Sequence, residues 1–577
     1  MKKPTLMLSL VLFAAASHCC AQQHAIKPEA QAAFDQGSKL PFGDPSALEI
    51  YRKAIDLDPD FPKAQDMYIT AYQHKAQLHL ATDAEKTAAG KKAQCELTQY
   101  YEKAAKEHPK DAIYPWALGS LYEHADPPRS VEYFKQAIAA DPDFAEAYAS
   151  LGIASEAQGN LAQAHAYITK AHELWPDDVT IWRHYVASFT VSAQNSELEL
   201  AKTAALQGAS KFSKDAVSLL SYIASRSTDP AQARSIYELV LQKFPTQIGG
   251  YTLLPLFNLK MESDPKSAVH LADTVLKTAS GSDSKDDHAD TLKLWPPLSS
   301  YAKAVVEARA QIAAGNGAAA LATLDHVGTL ARTVNTMPLK LTTASALNAT
   351  GQTAKAYTDL TAIVAATPSK AAYADLFKYG SILSKDKDQV DADVATSRSN
   401  ASKPGKPFQL TDYATGKAVS LSDYKGRVVL VNFWFPLCGP CRGEFPYMQM
   451  ALDKYKDRGF AILAINGLAP EDEWVMPLIR GWGLGFTPLK STEETLKDYN
   501  VKAYPENFLY GADGHIYPMP PSIRPNSLEQ FELQVEGLLQ QAKSSAAKQS
   551  ATNVTSQQQD PERISVVHTD LKDQTQR

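Results

Sequence analysis

Two cysteines, Cys438 and Cys441, are separated by Gly439 and Pro440 and follow the apolar run Val428 to Phe435. Thiols at this spacing can close into a disulfide and reopen, so the chemistry within their reach is thiol–disulfide exchange. After the pair, Met448, Leu452 and Tyr455 recur at helical spacing, which predicts a buried strand ending at the cysteines and a helix beginning there. Free N–H groups and the positive end of the dipole at a helix start favour an anion, and a thiolate is the anion available. Cys438 is expected to be the more exposed, lower-pKa sulfur that attacks a disulfide. Cys441, one turn on, is expected to resolve the mixed disulfide. Pro440 suits a first helical turn, where a missing N–H costs little.

Two blander readings stand beside this one. A zinc site normally takes four N or S ligands, and no second C-x-x-C or paired histidine motif follows, so no metal is expected. A structural disulfide over so short a loop would constrain the unfolded chain little.

The residues Val431-Asn-Phe-Trp434, Cys438-Gly-Pro-Cys441 and Glu444-Phe-Pro-Tyr-Met448 resemble the extracytoplasmic thioredoxin-like proteins of the TlpA/ResA type, over residues 405–541. The resemblance implies an α/β thioredoxin-like domain, protein disulfides as substrates and a membrane electron donor that restores the dithiol. No cofactor is expected. Pro505 stands where such folds have a cis proline facing the cysteines, which would present the Tyr504 backbone to a substrate strand; an ordinary trans turn proline is the alternative. Glu444, three residues after Cys441, matches a family glutamate that tunes the pair. Buried, its raised pKa would let it carry the proton that Cys441 must lose; otherwise it is a solvated helix-surface glutamate. Asn432 lies six before Cys438, where cytoplasmic thioredoxins have a buried aspartate, and an asparagine cannot titrate. Trp434 either flanks the pair as a substrate contact or belongs to the core. Two positions depart from the family: Leu437 replaces the usual tryptophan before the first cysteine, and Glu506-Asn-Phe508 follows the proline where Thr-Thr-Phe is favoured. The chemistry-bearing cysteines stay, while the substrate-contacting surface has changed.

At 577 residues the chain exceeds what one core usually serves, so several domains are expected. A net charge of −6 without a Lys/Arg cluster gives no footprint for nucleic acid. Residues 1–21 carry Lys2 and Lys3, an apolar run from Leu6 to Ala16, and small residues Cys19 and Ala21 at a plausible cut, which reads as a secretory signal and a periplasmic or otherwise extracytoplasmic location. An uncleaved segment would instead tether the protein to the membrane. Lipidation is disfavoured because His18 precedes Cys19. Removing the signal leaves Cys95, Cys438 and Cys441, too few to staple an exported chain, and Cys95 is expected as a buried small hydrophobe.

Residues 22–383 read as an all-α helical solenoid. Lys53-Ala-Ile-Asp-Leu-Asp-Pro-Asp-Phe61 is echoed by Gln136-Ala-Ile-Ala-Ala-Asp-Pro-Asp-Phe144, and Pro109, Pro142 and Pro176 are spaced by 33 and 34 residues. The period resembles tetratricopeptide repeats, helix-turn-helix units of 34 residues. In Gly159 to Pro176 and Gly351 to Pro368, the glycine and the following Ala164 or Ala356 are expected to let paired helices pack closely, and the proline to stop the second. Stacked repeats present a groove that would hold a protein or peptide partner; a rigid spacer is the alternative. The repeats lose phase between Leu254 and Asn335, where 283–290 is a polar loop. Residues 384–404 are expected as a flexible linker or an exposed solenoid end, 405–541 as the thioredoxin-like domain with a parallel-type sheet, and 542–577 as a disordered tail.

These readings converge on an exported thiol–disulfide oxidoreductase working through Cys438 and Cys441. A scaffold whose redox domain docks or senses is the alternative. A thiol peroxidase, prompted by Pro436 two before Cys438, lacks the usual Thr or Ser three before, where Phe435 stands.

Overall fold

The computed structural model describes residues 25–41, 44–78, 80–191, 194–248, 250–280 and 289–558. The expected signal at 1–21 and residues 283–288 of the polar loop at 283–290 lie outside the described residues. The described residues form two compact units, one within Met1–Leu151 and Lys170–Trp175, the other within Gly152–Thr169 and Pro176–Arg577. No helix among the described residues is long and apolar enough to cross a membrane.

From Pro28 to Asn400 the described elements are helices, and the prolines punctuate them as expected. The helices Pro127–Ala140, Leu161–Leu174 and Thr353–Ala366 each end two residues before Pro142, Pro176 and Pro368. A proline disfavours helical backbone in the residue before it, so the helix stops there. Polar side chains cap the next helices: the Asp178 carboxylate accepts from the Thr180 and Ile181 N–H groups at 2.7 and 2.9 Å, and Ser369 Oγ from the Ala372 N–H at 3.2 Å.

The glycines divide their work differently from the expectation. Gly159 and Gly351 have φ of +77° and +78°, so they turn the chain rather than bring the paired helices of a repeat together. Close approach falls to Gly119 and Gly152: a Cβ there would lie 2.3 Å from the Phe134 ring and 2.4 Å from Ile168. Ala164 and Ala356 are buried as expected. After Leu254 the helices are 10, 16, 25 and 9 residues long, so no fixed repeat length holds there. Cys95 is a correction. It is an exposed free thiol on the helix Asp83–Glu107, whose Ala93 and Leu97 take the inward positions on either side of it.

The stretch 384–404 is mostly helix rather than flexible linker. In Lys387–Asn400 the Asp386 and Gln389 side chains cap one another's backbone N–H groups, and Val390, Val394 and Arg398 bury at four-residue spacing. The short polar residues that read as linker are its cap and solvent face.

Beyond it lies an eight-stranded mixed sheet: β1 (Lys403–Pro404), β2 (Gln409–Asp412), β3 (Ala418–Ser420), β4 (Val428–Trp434), β5 (Phe460–Asn466), β6 (Thr487–Lys490), β7 (Glu506–Tyr510) and β8 (His515–Tyr517), in the order β1-β8-β7-β4-β5-β6-β2-β3. β4, β5 and β6 run parallel, as the strand–helix alternation predicts, while β7 pairs antiparallel with β4. All of β4 is buried, and its alternate residues face two cores. Val428, Leu430 and Trp434 meet Phe445, Met448, Phe531 and Val535; Val429, Val431 and Phe433 meet Phe408, Leu463, Ile465 and Tyr499. The closing helix runs from Pro525 to Gln558, so the tail expected as disordered from 542 is helical as far as 558; 559–577 lie outside the described residues.

Truncating Phe531, which is fully buried between the sheet and this helix, tests the packing. Phe531→Ala should lower the stability of the sheet domain by roughly 3–5 kcal/mol, read as a lower urea midpoint. An unchanged midpoint would mean the helix does not close this core.

Candidate functional site: the Cys438–Cys441 hairpin

β4 ends at Trp434, and the chain turns out of the sheet through Phe435, Pro436 and Leu437 to Cys438. The helix expected to begin at the cysteines comes in two pieces, Gly439–Arg442 and Phe445–Tyr455. Pro446 explains the break: it has no N–H to return to the carbonyl of Arg442. Cys438 caps the short piece, its sulfur accepting from the Cys441 N–H at 3.2 Å, and the two cysteines form a disulfide. Cys438 is the more exposed of the two sulfurs, as expected, but by little. It is only 4% exposed and Cys441 is fully buried, because both sit in the core that Trp434, Phe445 and Tyr447 fill.

Glu444 stands at the break, fully buried. Its carboxyl accepts from Asn507 Nδ2 at 2.9 Å and from the Ile523 N–H at 3.2 Å. Burial pushes its pKa up to about 7; those two hydrogen bonds and the Arg524 charge offset only part of the rise. Asn432, pointing to the same face of β4, donates through Nδ2 to Asn507 Oδ1 at 2.8 Å. The asparagine that cannot titrate therefore orients the one that holds Glu444. A carboxyl with a pKa near 7 exchanges protons at neutral pH, one helical step from Cys441.

The Tyr504–Pro505 bond is cis, and Pro505 leads into β7, whose Glu506 pairs with Phe433 at the end of β4. Pro505 and Tyr504 are partly exposed. The Tyr504 ring packs edge-on to Phe435 at 5.2 Å, with its hydroxyl donating to Gly467 O at 3.3 Å. Trp434 is fully buried and edge-on to Phe445 at 5.1 Å, so its ring belongs to the core and offers no substrate surface.

Three buried charged side chains that the sequence reading left out fix the hairpin's backbone. The Glu471 carboxylate accepts from the Leu437 N–H at 2.7 Å. Arg442 Nη1 donates to Pro436 O at 2.6 Å. Arg226, from the helical region, donates through Nη1 to Gly443 O. Arg442 adjoins the cysteine motif and could have been singled out; Glu471 and Arg226 carry no local signal. Among the described residues no cluster of His, Cys, Asp and Glu is arranged to hold a metal.

A mixed sheet whose central strand delivers a C-x-x-C disulfide, with a cis proline leading into the strand paired beside it, defines a thioredoxin-like protein. Residues 402–519 match the AhpC/TSA family and 133–166 the tetratricopeptide repeat. The chain is 35% identical over 115 residues to the thiol-disulfide oxidoreductase ResA of Bacillus thuringiensis subsp. konkukian, a match covering 20% of this chain and 65% of the relative. The ResA of Bacillus thuringiensis strain Al Hakam is 33% identical over 138 residues, covering 24% and 75%. A solved structure, the thioredoxin domain of a thiol-disulfide oxidoreductase from Bacteroides vulgatus, is 28% identical and covers 22% of this chain and 91% of that one, with a TM-score of 0.20. The chain belongs to the ResA-type thiol-disulfide oxidoreductase family; it spans 65% of the length of the first of these relatives.

Glu444 makes stability depend on pH. In the unfolded chain it ionises near 4.5, whereas the folded protein keeps its proton until about 7. The folded state thus binds more protons across this window, and stability falls as pH rises from 4.5 to 7, by on the order of 3 kcal/mol in all. Glu444→Gln should remove that slope in urea titrations run between pH 4.5 and 8. An unaltered slope would mean that Glu444 is not the group responsible.

Proposed function

We propose that the protein is an exported thiol–disulfide oxidoreductase that reduces protein disulfides through Cys438 and Cys441. The observation that carries this reading is the disulfide at the end of β4 with a protonatable carboxyl buried beside it. In the reduced protein, the Cys438 thiolate attacks one sulfur of a substrate disulfide, forms a mixed disulfide and expels the other sulfur as a thiolate. Cys441 gives its proton to the Glu444 carboxylate and attacks Cys438. The Cys438–Cys441 disulfide forms, two electrons remain on the substrate, and its second thiolate departs; Glu444 returns its proton to that sulfur. A membrane electron donor restores the dithiol.

The cis Pro505 turn, with the partly exposed Tyr504, serves in this reading as the edge along which a substrate strand lies. The repeats of residues 22–383 recruit a protein or peptide partner. An extracytoplasmic location rests on the signal-like residues 1–21.

One observation favours a second reading. Cys438 is only 4% exposed, which suits a domain that docks or senses and keeps its thiol covered. Equilibrating the protein with graded dithiothreitol buffers and trapping thiols for mass spectrometry separates the two. A reversible two-electron transition with a midpoint below roughly −200 mV is expected for a reductase, against roughly −120 mV for a strong oxidant. Cys438→Ser should abolish both the transition and reduction of a disulfide-bonded test protein. Reduction that survives this substitution would rule out the dithiol mechanism.

A further inference from the structure

Helices more than two hundred residues before the disulfide in sequence reach Gly443 O and the Arg442 side chain just beyond it. Arg226, 2% exposed at the end of the helix Ser213–Arg226, donates through Nη1 to Gly443 O and through Nη2 to Thr190 O at 3.4 Å. Its guanidinium lies 5.1 Å from the centre of the Tyr447 ring, and the Tyr447 hydroxyl donates to Arg226 O at 2.6 Å. Glu156, near the end of the helix Ala145–Ala157, accepts from Arg442 Nε at 3.0 Å, and its carbonyl accepts from Trp482 Nε1 at 3.2 Å. Arg442 in turn holds Pro436 O. The seam beside these contacts has no room for side chains: a Cβ on Gly159 would lie 2.5 Å from Pro477 O, and one on Gly481 would lie 2.2 Å from Gly159 O.

We propose that the helical repeats supply positioning residues to the redox centre, Glu156 acting through Arg442 and Arg226 through Gly443, so that charges on the repeats help set the Cys438–Cys441 disulfide–dithiol equilibrium. This rests on the redox reading given above. The hairpin 436–443 is held at Pro436 O by Arg442 and at Gly443 O by Arg226, and the reacting sulfurs lie between these points. Charges this deeply buried are poorly screened. Reduction of the disulfide takes two electrons from dithiothreitol, which closes to its own cyclic disulfide, and its two protons pass to the protein sulfurs and solvent. Any fraction of thiolate on the product side is favoured by nearby cations and disfavoured by anions. Glu156 offsets the charge of Arg442. Arg226 adds a cation where the last carbonyls of the short helix point, the end at which a helix favours positive charge. His184, partly buried near Glu156 with its pKa lowered by desolvation, is neutral at pH 7 and leaves the balance to these groups.

The two charges act with opposite sign, which a merely structural contact would not do. In the full chain at pH 7, Glu156→Gln should shift the equilibrium about tenfold toward the dithiol, a midpoint higher by about 30 mV. Arg226→Gln should shift it about tenfold toward the disulfide, and Arg226→Lys should restore most of that. Opposite shifts of at least threefold support the proposal; shifts of the same sign, or below threefold in either variant, overturn it. If Arg226→Gln does not fold, Glu156→Gln and Arg226→Lys decide: an upward shift in the first with a near-parental second supports it, and anything else overturns it. A parent protein with no reversible transition would sink the redox reading itself, whereas a parent and variants that titrate alike would sink only the part assigned to the repeats.

Discussion

A polypeptide that leaves a buried sheet and bends back into a helix must satisfy its backbone polar groups where water does not reach. Here that segment carries the only disulfide among the described residues. Unpaired, each buried N–H or carbonyl would cost on the order of 1–3 kcal/mol, comparable to a large share of a domain's net stability. Charged side chains meet the demand: a carboxylate at Leu437 N and guanidinium groups at Pro436 O and Gly443 O. Such hydrogen bonds are stronger than neutral ones, and they fix the geometry of the sulfurs as a by-product of solvating the bend.

The same economy governs Glu444. Its carboxyl lies fully buried at the start of the second helical piece, and burial alone accounts for the direction of its pKa. Asn432 and Asn507 then matter as a relay of dipoles rather than as acids. The first orients the second, which holds the carboxyl oxygen. Removing a titratable group from β4 therefore leaves one carboxyl, not two, competing for a proton in this pocket.

Much of this was legible in the residues. The apolar run of β4, the C-x-x-C spacing and the helical recurrence of Met448, Leu452 and Tyr455 are local patterns, and local patterns report local structure. The prolines that close repeat helices are legible for the same reason. What escaped was non-local or rested on phase. Cys95 sits on the outer face of a helix whose polar content blurs its apolar stripe. The helix Lys387–Asn400 is built mainly from short polar residues, and three buried positions were too few to stand out. β6, β1 and the grip of Glu471 and Arg226 depend on chain segments far apart in sequence, so no window of neighbouring residues contains them. The break at Gly443 was visible in Pro446 but was overridden by the helical recurrence on either side.

The glycine-on-glycine seam at Gly159 and Gly481 bears on how such a chain can diversify. Where two surfaces meet backbone to backbone, neither can accept even a methyl group without displacement, so drift on one side is policed by the other. A thioredoxin-like cassette grafted from another protein would arrive without Gly481 and Arg442 in register with Gly159 and Glu156. Recombination that treats the redox domain as an interchangeable module therefore meets a steric veto here, and descent with both partners together is the path this seam leaves open.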